Sequence, residues 1–168
     1  MAEFVILGFG SNLGNRFRNL HAALRTISLN ENMNLLKVSG VYETEPWGFT
    51  KQNRFYNCAA VFLCRIKPAE LLKTIKLTER KAGRKERGKW QAREIDIDIL
   101  FYGDLVIQNE NINIPHSLIE ERKFVLVPLA EIAPDFIHPV LKKSAAQLLS
   151  DSKDNLKVSP YCTIKTEA

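Results

Sequence analysis

The stretch "REIDIDILFYG" (residues 93–103) holds the reading on which the fold turns. Alternate side chains of an extended chain share a face. Ile95, Ile97 and Ile99 therefore turn one way, into a core, while Asp96 and Asp98 turn the other way, side by side. Gly103 ends the run, which reads as a strand with one buried face. Two neighbouring ionised carboxylates repel each other and are costly to desolvate. Their face is then either wet, as on many half-buried strands, or it carries a cation. A pair of hard oxygen ligands suits Mg²⁺, which keeps several waters and fills its shell from phosphates.

The residues just upstream weigh toward the cation. Between Arg80 and Arg93 stand seven cations (Arg80, Lys81, Arg84, Lys85, Arg87, Lys89, Arg93) and one acid, Glu86. That leaves 17 of the 24 cations against 18 of the 19 acids elsewhere, so the net charge of +5 belongs to one segment. A localised patch fits a localised anion better than a general affinity for polyanions. Arg93 lies three residues before Asp96, and Arg84 stands on the far side of the same loop. Carboxylates for a metal beside guanidiniums for phosphate oxygens are recurring parts of phosphoryl transfer. The competing reading is a nucleic-acid-binding module that uses the Arg80–Arg93 segment with Trp90, which would bind with steep salt dependence. The aspartate pair speaks against it, because bare carboxylates repel a phosphate backbone.

Working outward, "FVILGF" (4–9) reads as a buried strand. In "NRFRNLHAALRTISL" the apolar residues Phe17, Leu20, Ala23, Leu24 and Ile27 form a helical stripe. "NLLKVSGVYET" and "FYNCAAVFLCRI" have strand character and are joined by a Pro- and Gly-bearing loop. Pro68 opens a second helix that ends near Gly83. The order strand, helix, strand, strand, helix, strand predicts an α+β, ferredoxin-like βαββαβ core: one mainly antiparallel sheet, covered by helices on a face, in a single domain over 1–168. Beyond it come a hairpin-like "LVIQNENINIP", helices around "SLIEER" and "FVLVPLAEIA", and a weak helix "SAAQLLS". "KVSPYCTI" is read as an added edge strand.

Composition excludes other classes. Hydrophobic content of 45% with 26% charged residues is that of a globular chain. No apolar run reaches the roughly 18 residues of a membrane span. "MAEFVILGFGSN" sets an acid before a short apolar stretch, unlike a secretory signal. Cys58 and Cys64 fall on one strand, roughly 20 Å apart, too far to bridge. With no CxxC spacing, the three thiols suit a reducing cytoplasm. "GFGSNLG" places its third glycine one position too late for a dinucleotide fingerprint, and no P-loop pattern occurs. His21, beside the first helical stripe, reads as structural, and His138 has no assigned role.

"KWQAREIDIDIL" resembles the hallmark of the 6-hydroxymethyl-7,8-dihydropterin pyrophosphokinase (HPPK) family, in which an arginine leads into D-hydrophobic-D-hydrophobic-hydrophobic. "GFGSNLGNR", "VYETEPWGFTKQNRFYNCAA", "DIDILFYGD" and "INIPHSLIEERKFVLVPLAEIAPDFIHP" also follow the family's pattern, across about residues 4–140. The resemblance implies transfer of pyrophosphate from ATP to the pterin hydroxymethyl group, giving AMP and the pterin diphosphate in folate biosynthesis. It implies that Asp96 and Asp98 hold two Mg²⁺ ions and that Arg84 and Arg93 are mobile arginines that stabilise the transferring charge. Trp90 would close over the ligands, and Glu79, Ile99, Ile112, His116 and Arg122, with Arg93, would line the ATP site.

For the pterin, the matching positions are Thr44, Trp47, Phe55, Asn57 and Phe124. A flat heterocycle sits well between aromatic faces, and its amide-like edge suits a carboxamide. Phe55 and Phe124 also read as plain core aromatics. The loops 44–54 and 83–93 are expected to act as lids. The implied partners are the two small-molecule substrates, with no nucleic acid, no membrane, and a monomeric state.

Overall fold

Burial on both faces places β1 (Glu3–Ser11) in the middle of a sheet. The structure is a computed structural model that describes residues 1–48, 51–88 and 91–165. β1 pairs antiparallel with β4 (Phe55–Cys64) on one side and with β5 (Asp96–Tyr102) on the other. Beyond β4 lie β2 (Met33–Val38) and β3 (Val41–Thr44), set end to end along the same partner. β8 (Val158–Cys162) then joins β3, which makes the strand order β5-β1-β4-β3-β8 with β2 beside β4. The expected βαββαβ order is present, and "KVSPYCTI" does supply an edge strand.

What reads as one strand across residues 34–44 is two, parted at Ser39–Gly40. The reason is a carboxylate from another layer: both oxygens of Glu131 accept the Gly40 N–H, at 3.1 Å. Pairing to β4 survives the break because the Ser39 hydroxyl accepts the Ala59 N–H at 2.9 Å, while the Ser39 N–H donates to the Ala59 carbonyl at 2.9 Å.

One face of the sheet carries α1 (Arg16–Ser28) and α2 (Pro68–Lys81). Asn15 caps α1 by accepting the Arg18 N–H, and Pro68 needs no amide partner in the first turn of α2. The α1 stripe of Leu20, Ala23, Leu24 and Ile27 packs on Val5, Leu7 and Phe9 of β1 and on Cys58, Ala60 and Phe62 of β4. Ile97 and Ile99 join the same core, as alternation predicts. Cys58 and Cys64 are free, buried thiols, and burial pushes the Cys58 thiol up to about 12.

The sequence points to helices on one face; the structure clothes both. α3 (Lys123–Ile132) and α4 (Ala145–Asp151) build a second core from Leu126, Leu129, Ile132 and Leu148 against Ile6, Val61 and Phe101. The "FVLVPLAEIA" helix is apolar nearly all round because it is wedged between sheet and α4. A bulge in β5 adds to this second core. Ile6 faces Phe101 and Leu7 faces Ile99, so Leu100 is an extra residue. Leu100 and Phe101 both enter the second core, and Tyr102 returns to the first, where its hydroxyl donates to the Ile66 carbonyl at 2.6 Å.

β6 (Ile107–Gln108) and β7 (Asn113–Ile114) form the small hairpin, followed by a single helical turn at Ile119–Glu121. His138, without an assigned role in the sequence, is buried, and its Nδ1 accepts the N–H groups of Val140 and Leu141, both at 3.2 Å. His21 stacks loosely on Phe17 at the surface. Among the described residues no helix is long and apolar enough to cross a membrane.

Replacing Ser39 by alanine leaves the buried Ala59 N–H without a partner, which costs about 2 kcal/mol. For a chain of this size that corresponds to a fall in Tm of about 4–8 °C. Thermal unfolding followed by circular dichroism checks it.

Candidate active site

α3 stops short of covering its face, and the uncovered end of the sheet forms the floor of a cleft of about 550 Å³. Strand register sets that floor in two rows. Asp96 faces Gly10, which faces Asn57; Asp98 faces Gly8, which faces Ala59. The two glycines remove side chains between the carboxylates of β5 and the carboxamide of β4. A Cβ on Gly10 would lie 2.7 Å from Asn57 Oδ1, so only glycine leaves this floor open. Walls rise from the start of α3 (Arg122, Phe124, Val125), from the segment after β3 (Glu45, Trp47, Gln52) and from the segment before β5 (Arg84, Gln91, Arg93).

The β5 end is ionic. Arg84 donates to Asp96 Oδ1 at 2.8 Å and Arg93 to Asp96 Oδ2 at 2.9 Å, so both oxygens of one carboxylate are held by guanidiniums. Arg84 also grips the carboxylate of Glu79, which is buried in α2 and accepts the Ile97 N–H at 2.9 Å. Burial raises the Glu79 carboxyl above its ordinary range, partly offset by that amide, Arg84 and Lys76. Burial alone would lower the Arg84 guanidinium, but Asp96 and Glu79 together raise it.

Desolvation at the floor of the cleft, and after it the neighbouring Asp96, push the Asp98 carboxyl up to about 7 against the pull of Arg122, Arg93 and Arg84. His116 Nε2 stands 3.8 Å from Asp98 Oδ1. Burial and, after it, Arg122 lower the His116 ring below its ordinary value.

At the other end, Asn57 Nδ2 donates to Thr44 Oγ1 at 2.6 Å, which orients the carboxamide. Phe55, Phe124 and Trp47 line the same end, and the Arg122 guanidinium lies 4.8 Å from the centre of the Trp47 ring. The structure thus brings Arg84, Arg93, Asp96, Asp98, Thr44, Trp47, Phe55, Asn57, Phe124, His116 and Arg122 around one cavity. Three expected nucleotide residues stand apart from it. Ile99 is buried in the α1/α2 core, as its place on the inward face of β5 requires, and Ile112 packs against that core. Glu79 reaches the site only through Arg84. Trp90 lies outside the described residues, as do Phe49, Thr50 and Lys89 of the two segments read as lids.

Sequence reading missed Asn12, which is buried and joins both flanking segments. Its Nδ2 donates to Gln52 Oε1 at 2.9 Å and to the Asn53 carbonyl at 3.2 Å, and its Oδ1 accepts the Arg93 N–H at 2.8 Å. The signal was its place in "GFGSNLG", at the end of a strand that the register brings beside β5. The basic segment is also less open than its charge suggests: Arg87 forks onto Glu94, whose carboxyl falls to about 2 as a result.

The donor set fits divalent cations completed by a ligand. Among the described residues no group of three or more His, Cys, Asp or Glu converges, so the protein offers the Asp96–Asp98 pair and leaves the remaining positions to water and phosphate oxygens. His116 Nδ1 and Arg122 Nε, both on residues of the cleft wall, are buried without a hydrogen-bond partner. Groups of that kind in a cleft mark a binding site rather than a finished interior. Paired carboxylates, convergent guanidiniums and an aromatic slot with an amide define a site for transfer of phosphate groups to a flat polar heterocycle.

Comparison with known proteins agrees. Residues 6–134 match the family described as 7,8-dihydro-6-hydroxymethylpterin-pyrophosphokinase (HPPK). The 2-amino-4-hydroxy-6-hydroxymethyldihydropteridine pyrophosphokinase of Aquifex aeolicus is 42% identical over 160 residues, covering 95% of this chain and 96% of that protein. The enzyme of the same name from Haemophilus influenzae is 39% identical over 133 residues, covering 79% and 83%. The crystal structure of Plasmodium falciparum HPPK-DHPS superposes with a TM-score of 0.73 at 17% identity, over 89% of this chain and 44% of that one, a likeness of fold. The chain belongs to the HPPK family.

Two substitutions probe this geometry. Gly10→Ala is expected to fold, with a loss of about 1–2 kcal/mol from overpacking, yet to weaken binding of the heterocycle at least about tenfold, because the methyl displaces Asn57. Equilibrium fluorescence titration with a pterin reads this directly. The second is Asp98→Asn. A carboxyl raised in the folded state keeps a proton that the unfolded chain releases, so stability falls as pH climbs from the ordinary carboxylate range to about 7. Above pH 7 the asparagine variant escapes that penalty. With the side chain 40% exposed, and so screened by water, the gain is about 1 kcal/mol, or about 2–4 °C in Tm at pH 8, alongside loss of turnover.

Proposed function

We propose that this chain transfers the terminal pyrophosphate of ATP to the hydroxymethyl group of 6-hydroxymethyl-7,8-dihydropterin, releasing AMP, as a step of folate biosynthesis. The observation that carries the reading is the polarity of the cleft. Asp96 and Asp98 face Arg84 and Arg93 at one end, and Asn57 lies among Trp47, Phe55 and Phe124 at the other. The names of the Aquifex and Haemophilus relatives support the pterin as acceptor.

The aromatic end takes the pterin ring, with Asn57, oriented by Thr44, reading its amide edge. That pose aims the hydroxymethyl group along the glycine floor toward the carboxylates. Asp96 and Asp98 would hold magnesium ions, which when bound supply charge neutralisation along the phosphate chain. Arg84 and Arg93, released from Asp96 as the nucleotide enters, turn to the phosphate oxygens, and Arg122 and His116 serve from the α3 side. The hydroxymethyl oxygen attacks the β-phosphorus, the bond to the bridging oxygen of AMP breaks, and the hydroxyl proton leaves toward the carboxylate floor.

No protein nucleophile takes part. The contribution of the chain is alignment and electrostatics. Gln52 and Gln91 belong to the two segments read as lids, and Asn12 ties their bases together as they close. The free thiols suit an enzyme of a reducing compartment such as the cytoplasm, and we read it as a monomer.

AMP should form from ATP only when the hydroxymethyl pterin and Mg²⁺ are both added, measured by chromatography of the nucleotides. Arg84→Ala should lower kcat by about 10²–10³ while pterin Kd stays within about twofold. Absence of AMP formation with all three components present defeats the assignment.

A further inference from the structure

α3 begins without a cap of its own. Arg122 stands at its N-cap position and makes no side-chain hydrogen bond to the first turn. The missing acceptor comes from 31 residues downstream: Asp154 Oδ2 accepts the Lys123 N–H at 3.0 Å. The other oxygen of Asp154 accepts the Leu156 N–H at 2.9 Å, which bends the chain back toward the sheet. One residue later Lys157 is clasped by Glu45 from both sides. The Glu45 N–H donates to the Lys157 carbonyl at 3.2 Å, and the Lys157 N–H donates to Glu45 Oε2 at 2.9 Å. β8 then pairs with β3, with Val158 opposite Thr44. The Tyr161 ring lies against Tyr56, tilted by 31° with centroids 4.3 Å apart, and Ile164 is buried in the first core, which anchors the far end.

These contacts fall on two opposite walls. Arg122 and Phe124 flank the amide that Asp154 holds; Thr44 ends the strand that β8 holds, and Glu45 and Trp47 follow it. The two residues between Asp154 and Lys157, Asn155 and Leu156, set the distance from one wall to the other. We propose that the segment 152–162 is a brace that fixes the width of the aromatic end of the cleft, with Asp154 as its positioning residue. The brace lies beyond residues 6–134, which match the family model, while the alignment with the Aquifex relative, over 160 residues, reaches into it. It rests on the reading that the aromatic end holds the pterin.

A carboxylate at a helix start both accepts an orphan amide and opposes the helix dipole, so its removal frees the first turn of α3. The ionic end takes Arg122 from the α3 side, but its carboxylates and the two guanidiniums on Asp96 rest on β5, α2 and Asn12, none of which touches the brace through the bonds above. Loss of Asp154 should therefore separate the two ligands.

The test uses the full chain and three variants, Asp154→Ala, Asp154→Asn and Phe124→Ala, with 6-hydroxymethylpterin and a non-hydrolysable ATP analogue as probes. Asp154→Ala is expected to raise pterin Kd and KM about tenfold, with kcat and analogue Kd within about twofold. Asp154→Asn, which keeps one acceptor oxygen, should recover most of the loss. Unchanged pterin Kd in Asp154→Ala, an equal loss for both ligands, or outright unfolding would each overturn the brace. Unchanged pterin Kd in Phe124→Ala would instead overturn the placement of the pterin, whatever Asp154→Ala does.

Discussion

Two carboxylates two residues apart on one strand share a face, and at the floor of a cleft each raises the cost of ionising the other. Everything near the site answers that repulsion. Arg84 and Arg93 take one oxygen each of Asp96, and Glu79 holds Arg84 from behind while itself bound to the backbone beside the pair. Asp98, left with no such clasp, lies well above the usual carboxylate range. The arrangement therefore holds its cations on its own anions.

Much of this was legible in the chain. Alternation in "EIDIDIL" placed the isoleucines in the core and the aspartates on the other face, and the structure has Ile97 and Ile99 where that rule puts them. The order of elements gave the antiparallel sheet, because each strand and helix carries its own periodicity and its own stop at Pro or Gly. The concentration of cations before Asp96 marked the ionic end. Motifs read by resemblance supplied Thr44, Asn57, Phe55 and Phe124, which the fold gathers around one cavity.

What was not legible depends on pairing between distant segments. That Gly8 and Gly10 form a floor follows only from the register of β1 against β4 and β5, and Asn12 becomes a junction only once that register is known. The split at Ser39–Gly40 comes from Glu131, about ninety residues away. The bulge at Leu100, which sets Leu100 and Phe101 together in the second core, is announced by no local pattern, since "ILFY" reads equally well as one buried run. Ile99's side chain lies in the α1/α2 core, where strand alternation puts it.

The outer side of β5 carries a further consequence. Its Ile97 N–H is taken by the Glu79 carboxylate, and its Leu100 carbonyl accepts the His116 N–H at 3.0 Å. A helix side chain and a loop amide thus stand in for the neighbouring strand that an edge would otherwise recruit. Two backbone groups on the most highly charged border of the sheet are taken in this way, which works against strand addition there and against one route by which copies of the chain could stack edge to edge into aggregates.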